Sequence, residues 1–130
     1  MINKIESFCE LNVYKKAFEL QQKIFKLTKR FPKEELYSLT DQIRRASRSI
    51  GANIAESWQK RRYVASFINK LSDADGEQAE TQHWLDTSLA CDYITIKEHK
   101  ELYKSCKEIG RMLGKMLCEP QKWCARYSNN

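Results

Sequence analysis

Glu80-Thr81-Gln82-His83 is the stretch whose residue types and spacing come nearest to a known chemistry. Glu and His three residues apart share a helix face and supply two of the six ligands of di-iron bundles. Such a site needs a second Glu-Xaa-Xaa-His and two further glutamates. The other histidine, His99, has Ile96 three residues before it, so the half-motif stands alone and His83 reads as a partly exposed polar residue. Asp73, Glu77 and Glu80 offer paired carboxylates, but arginines opposite would hold them ionised, which is wrong for a general acid. No Walker loop, GxGxxG or zincin motif is present, and no Ser or Cys sits in a nucleophile setting. The five cysteines, Cys9, Cys91, Cys106, Cys118 and Cys124, are odd in number and lack Cys-Xaa-Xaa-Cys spacing, which argues against a zinc or redox site. Cys106 falls on an apolar stripe and packs as a small apolar residue. The expectation is no catalytic residue, no metal and no cofactor. An enzyme built on the helix-three carboxylates ranks as a third reading.

The elements that position these acids centre on Leu39 to Ser57. Leu39, Ile43, Ala46, Ile50 and Ile54 alternate steps of four and three, one stripe of an α-helix. Ser47, Ser49, Gly51, Ala52 and Ala55 beside it let a neighbouring backbone come close. Arg44, Arg45 and Arg48 lie in that surface, and unpaired buried charge is costly, so acids must face them. This helix is expected over about Lys33 to Trp58, with Pro32 before it and Glu34 and Glu35 suiting its N-terminal dipole. Helix three is expected from about Tyr63 to Cys91, with Asp75, Gln78 and Gln82 interrupting its apolar stripe. A short turn makes the two helices antiparallel, so residues equally far from the turn lie side by side. Arg48 then falls near Asp73, and Arg44 and Arg45 near Glu77 and Glu80. This is a structural polar network that fixes register.

Helix one is expected to begin near Asn12 as N-cap and to stop at Phe31-Pro32. It carries one stripe of Val13, Ala17, Leu20, Ile24 and Leu27 and a second of Tyr14, Phe18, Gln21 and Phe25. A face that wide fits either a broad buried surface in a monomer or a second subunit. Helix four, about Ile96 to Leu117, places Leu102, Cys106, Ile109, Leu113 and Met116 on its stripe, with Gly110 and Gly114 allowing close packing. Pro120 ends it. The chain divides into a lead-in (1–11), a bundle of four helices (12–118) and a basic, aromatic tail (119–130).

At 130 residues the chain is one domain, with 42% hydrophobic and 31% charged residues. Two Pro and four Gly favour long helices. The fold class is therefore all-α, an antiparallel up-down-up-down four-helix bundle. No apolar run reaches the ~18 residues of a membrane span. The first ten residues lack a signal peptide's apolar core. A soluble, cytoplasmic protein is expected.

The net charge of +6 permits contact with nucleic acid or another anion. In an up-down bundle the turn after helix two and the tail lie at one end. That end gathers Lys60, Arg61, Arg62, Lys122 and Arg126, interleaved with Trp58, Tyr63, Trp123 and Tyr127. Basic side chains bind phosphates and aromatic rings stack on bases. The first reading is a nucleic-acid-binding or ribonucleoprotein accessory protein. The second is an interaction scaffold whose basic end docks an acidic partner without nucleic acid. A solvated helix end with a loose tail is the bland alternative.

Arg44-Arg45-Ala46 followed by Ser49-Ile50-Gly51-Ala52-Asn53-Ile54-Ala55-Glu56 resembles the signature of the bacterial four-helix-bundle family named after the 23S rRNA intervening sequence. Val13-Tyr14-Lys15-Lys16-Ala17, Phe31-Pro32 ahead of Glu35-Leu36-Tyr37, and Glu80-Thr81-Gln82 extend the resemblance from about Leu11 to Leu117. Many members carry Pro at the position of Gly51 and Gly at that of Ser57. The family includes the accessory variability protein of diversity-generating retroelements. The resemblance implies a barrel-like homo-oligomer, a pentamer, and RNA or DNA and a reverse transcriptase as candidate partners.

Overall fold

Val13, Ala17, Leu20 and Ile24 are at most 3% exposed, and their spacing makes α1, Asn12–Thr28, the first long helix. The computed structural model describes residues 5–128, with the backbone alone for 125–128. α1 is entered through a short 3-10 turn, Phe8–Glu10, closed by a capping box between Ser7 and Glu10. Leu11 follows in extended conformation and buries its side chain, so Leu11 holds the cap position and Asn12 is the first helical residue. The expected side-chain cap at Asn12 is absent.

α2, Leu39–Gln59, starts later than the sequence implies. Lys33–Glu35 is a separate 3-10 turn, and Ser38 leaves helical geometry at φ −125° and ψ −102°. Glu35 explains the break. Its carboxylate accepts from Ser38 Oγ at 2.6 Å, from Tyr93 Oη at 2.9 Å and from Leu39 N at 3.4 Å. A side chain that caps the following helix cannot sit on its continuous surface. The shared proton also pushes the Tyr93 phenol up to about 12. From Leu39 onward the expected stripe holds: Leu39, Ile43, Ala46, Ile50 and Ile54 are at most 4% exposed. α1 comes close at Gly51, where an added Cβ would lie 3.5 Å from the Tyr14 ring. The second stripe of α1 is thus covered largely by α2 of the same chain, while Phe18 stays 46% exposed.

α3, Val64–Ala90, and α4, Ile96–Cys118, match their expected bounds closely. α3 buries Phe67, Leu71, Ala74, Gln78, Thr81, Leu85 and Ser88. Gln78 donates to Asp75 Oδ1 at 3.0 Å and accepts from Gln82 Nε2 at 2.7 Å. Gly110 of α4 makes room for it, because a Cβ there would fall 2.9 Å from Gln78 Nε2. α3 ends with Asp92 at φ 61° and a Tyr93 N–H bond to Ser88 O, a Schellman closure. α4 starts with a capping box between Thr95 and Glu98 and buries the expected Leu102, Cys106, Ile109, Leu113 and Met116.

The four long helices pack together, each against two others, around one continuous core; no strand occurs among the described residues. None of the described helices is long and apolar enough to cross a membrane. Pro120 ends α4 but also opens a fifth helix, α5, Pro120–Ser128, where a tail was expected. α5 packs on α3 and buries Cys124, and the Trp123 ring lies edge-on to Trp58 at 6.4 Å.

Trp58 is only 2% exposed. Trp58→Ala should therefore destabilise the protein by about 3–5 kcal/mol in a denaturant melt, as a large core truncation does. Lys60→Ala, on the exposed turn beside it, should change the midpoint hardly at all.

Candidate nucleic-acid interface

The turn after α2 and the start of α5 do meet, but as packing more than as an open platform. The Arg61 guanidinium lies 3.5 Å from the Trp58 ring centroid, and its Nε donates to Trp58 O at 2.8 Å. Trp123 closes the ring's edge. Trp58 was expected to stack on a base; buried between these groups, it has no face to offer. Lys122 is paired with Glu119 at 3.2 Å. Lys60, Arg62 and Tyr63 are exposed. The side chains of Arg126 and Tyr127 lie outside the described residues. Burial raises the Cys124 thiol pKa, and the nearby Arg61 charge pulls it back.

The polar network forms only in part. Arg45 meets Glu80 at 2.8 Å and Glu77 at 3.9 Å, with its side chain 51% exposed. Trp84 Nε1 donates to the same Glu80 oxygen at 3.1 Å. Arg44 and Arg48 turn away to α1 and lie over the Phe25 ring, at 4.9 and 5.4 Å. Asp73 pairs with Lys70 at 3.9 Å, not with Arg48. Distance from the turn orders residues along the axis but says nothing of direction around it. Neighbouring helical residues differ by about 100°, so Arg44 and Arg45 cannot face the same partner. The girdle is thus a surface ion pair, worth at most ~1 kcal/mol. Its inner acid is strained electrostatically. Glu77 Oε1 is buried without a hydrogen-bond partner, and desolvation, then repulsion from Glu80, raises its pKa above the ordinary 4.5.

A larger basic surface runs along α4. Lys97, Lys100, Lys104, Lys107 and Arg111 recur at steps of three and four and are all exposed. They lie on the side opposite the buried Leu102, Cys106, Ile109 and Leu113, over roughly 21 Å of helix. Among the described residues none of the five has a carboxylate within ion-pair distance. Glu108 is engaged by Lys16 at 2.6 Å, and that bond first, then the Lys16 charge, lowers its pKa, with smaller help from Lys104 and Arg111; Glu101, on the same helix, is exposed. The Tyr103 ring lies on this surface, 5.4 Å from Lys107 Nζ and 4.9 Å from the His99 ring. The spacing is legible in the sequence, as the polar complement of the apolar stripe, but attention to the apolar stripe alone passes over it.

The remaining chemistry-bearing groups are engaged structurally. His83 is exposed and edge-on to Trp84, and His99 Nε2 lies 2.7 Å from Asp86 Oδ1. Among the described residues no three His, Cys, Asp or Glu side chains cluster as a metal site. Burial pushes the Cys106 thiol up to about 12, which leaves it inert at neutral pH.

A bundle of four long helices with charge concentrated on its outer faces defines an all-α protein. More narrowly, the chain belongs to the 23S rRNA-intervening sequence protein family, whose model matches residues 9–115. It is similar to a crystal structure of a protein of unknown function from the S23 ribosomal protein family of Bacteroides thetaiotaomicron. The two share 32% identity and a TM-score of 0.73, over 81% of this chain and 94% of that one. No curated protein matches.

Glu77 yields a test of the local electrostatics. Its folded pKa is raised, so the folded state holds the proton more tightly than the unfolded one. Its stabilising contribution is complete below about 4.5 and is lost as pH rises through the folded pKa. Glu77→Gln should therefore raise the melting temperature at pH 7, and the gain should vanish in acid.

Proposed function

We propose that this protein is a non-enzymatic nucleic-acid-binding or ribonucleoprotein accessory factor, and that the α4 face is its main contact. The carrying observation is the row from Lys97 to Arg111, cations on one exposed face with no acidic partner and an aromatic ring among them. Unpaired cations in a row release counterions when a phosphate backbone replaces the ion atmosphere. Lys60 and Arg62 extend the basic surface at the bundle end. Membership of a family named for an rRNA element supports the reading.

The four long helices run up-down-up-down, antiparallel. Pairs such as Arg45–Glu80 with Glu56–Lys70, and Lys16–Glu108 with Arg30–Glu98, support this: numbers rise on one helix as they fall on its neighbour. The chain works as a cytoplasmic homo-oligomer, barrel-like and pentameric by the resemblance. Phe18 and Ile96, 46% and 76% exposed, are apolar surface that such an assembly would cover. A reverse transcriptase as partner rests on the resemblance alone.

The second reading is a scaffold that docks an acidic protein. A cleft beside the bundle end, where Leu11, Val13, Met112, Met116 and Trp123 meet Lys115, Lys122, Glu10 and Glu119, supplies apolar surface for a protein partner. Competition separates the two, since polyglutamate should displace an acidic protein's site but compete weakly with single-stranded RNA.

Fluorescence anisotropy with single-stranded RNA should show affinity falling with salt. Changing Lys100, Lys104 and Lys107 together to Ala should flatten the log–log salt slope by about 2, at roughly 0.7 per lost phosphate contact. An unchanged slope, or no binding by the parent protein at low salt, removes the nucleic-acid reading. Light scattering should return several times the 15.4 kDa chain mass; a monomer at micromolar concentration removes the assembly.

A further inference from the structure

Three cations crowd a single ring on the α1–α2 side of the bundle. Lys29 Nζ is 4.7 Å from the Phe25 centroid, Arg44 4.9 Å and Arg48 5.4 Å. Among the described residues none of the three has a carboxylate within ion-pair distance; Glu77 and Glu80 are taken by Arg45, which lines the same groove as Arg44 and Arg48. A ring quadrupole attracts each cation but does not cancel their mutual repulsion. An anion would.

Arg44 is also fixed in direction. Its Nε donates to Thr28 Oγ1 at 2.8 Å, and that hydroxyl, only 2% exposed, is itself held by Ile24 O at 2.8 Å and Phe25 O at 3.0 Å. With Nε spent on the protein, the two terminal nitrogens remain as a fork. A guanidinium stacked on a ring and pinned at Nε has lost its entropy before any ligand arrives. Arg44 and Arg48 also line an open groove with Tyr37, Thr40 and Ser49. Tyr37, at its rim, is 92% exposed. Asp41 is the groove's one acid; it is exposed and pairs with neither arginine.

We infer that Arg44, Arg48 and Lys29 form a preorganised site for a phosphate group, separate from the α4 face. Two terminal nitrogens of Arg44 and the fork of Arg48 match a phosphate's oxygens bidentately, and Lys29 adds a point charge. Tyr37 lines the same groove as both arginines and offers an exposed ring to a base attached to that phosphate. The site does not depend on the nucleic-acid reading, since its ligand is a single phosphate rather than a strand.

Phosphorus NMR and titration calorimetry with inorganic phosphate, at low salt in a chloride-poor buffer, test it on the full chain. Saturable binding of one phosphate per chain is expected, weakened about tenfold or more in Arg48→Gln. Thr28→Val keeps every charge and the side chain's shape but frees Arg44; it should weaken binding severalfold, which a merely diffuse positive field would not show. Lys104→Ala on α4 should leave phosphate binding unchanged while weakening RNA. Uridine 5′-monophosphate binding more tightly than phosphate, with the gain lost in Tyr37→Ala, assigns the phosphate to a nucleotide; equal binding assigns it to the free anion. Absence of saturable binding by either probe, equal loss from Lys104→Ala, or full binding by folded Thr28→Val overturns the site. Circular dichroism and melting curves confirm that each variant is folded.

Discussion

Consecutive residues of a helix point about 100° apart, and on α2 that step decides how the bundle distributes its charge. Arg44 and Arg48, one turn apart, face α1 and meet the Phe25 ring. Arg45 faces α3 and meets carboxylates. Between them the stripe from Leu39 to Ile54 enters the core. α2 can only be covered on both flanks if its neighbours answer each direction differently. α1 therefore supplies an aromatic ring and a hydroxyl, and α3 supplies acids. The small residues that share the buried surface, Ser47, Gly51 and Ser57, let those neighbours approach.

Four acids are spent where helices meet. Glu108 holds Lys16, Glu98 holds Arg30, Glu56 holds Lys70 and Glu80 holds Arg45. Each pair ties two helices across a groove between them. Each is partly exposed and individually weak, so their value lies more in direction than in energy. With the acids drawn to the seams, the excess of positive charge is left on the outward faces. A modest net charge of +6 thereby becomes a concentrated one on α4. The same sorting leaves Glu77 as the one carboxylate whose oxygen is buried without a partner among the described side chains, together with the Thr40 hydroxyl as an unsatisfied polar atom.

The apolar stripes of α1, α2 and α4 were legible, because burial imposes a period of 3.6 and little else competes with it; in the middle of α3 the buried line passes through Ala74 and Thr81, not the expected Asp75 and Gln82. The bounds of α3 and α4 followed from the same pattern. The start of α2 did not, because it depends on Glu35 reaching Tyr93, far along the chain. The polar network was half legible: axial register can be counted from a turn, whereas azimuth must be tracked residue by residue. The burial of Trp58 was hidden because its cover comes from α5, and nine residues opening with Pro120 read as an ending. Pro120, Trp123, Cys124 and Tyr127 do fall at helical spacing, a signal available but short. The α4 row keeps a clear period in the sequence but was missed, because it is the polar complement of the stripe that burial picks out.

The placement of α5 has a consequence for how the protein comes to exist. Trp58 is made well before Trp123, the ring that closes its edge. While Trp123 is still inside the ribosome, α1, α2 and α3 have already emerged and can associate. The nascent chain must then hold an uncovered tryptophan at one end of a half-built core. Such transient apolar surface is what chaperones bind. The arrival of α5, rather than the meeting of the first helices, is the step that commits the molecule to its final shape.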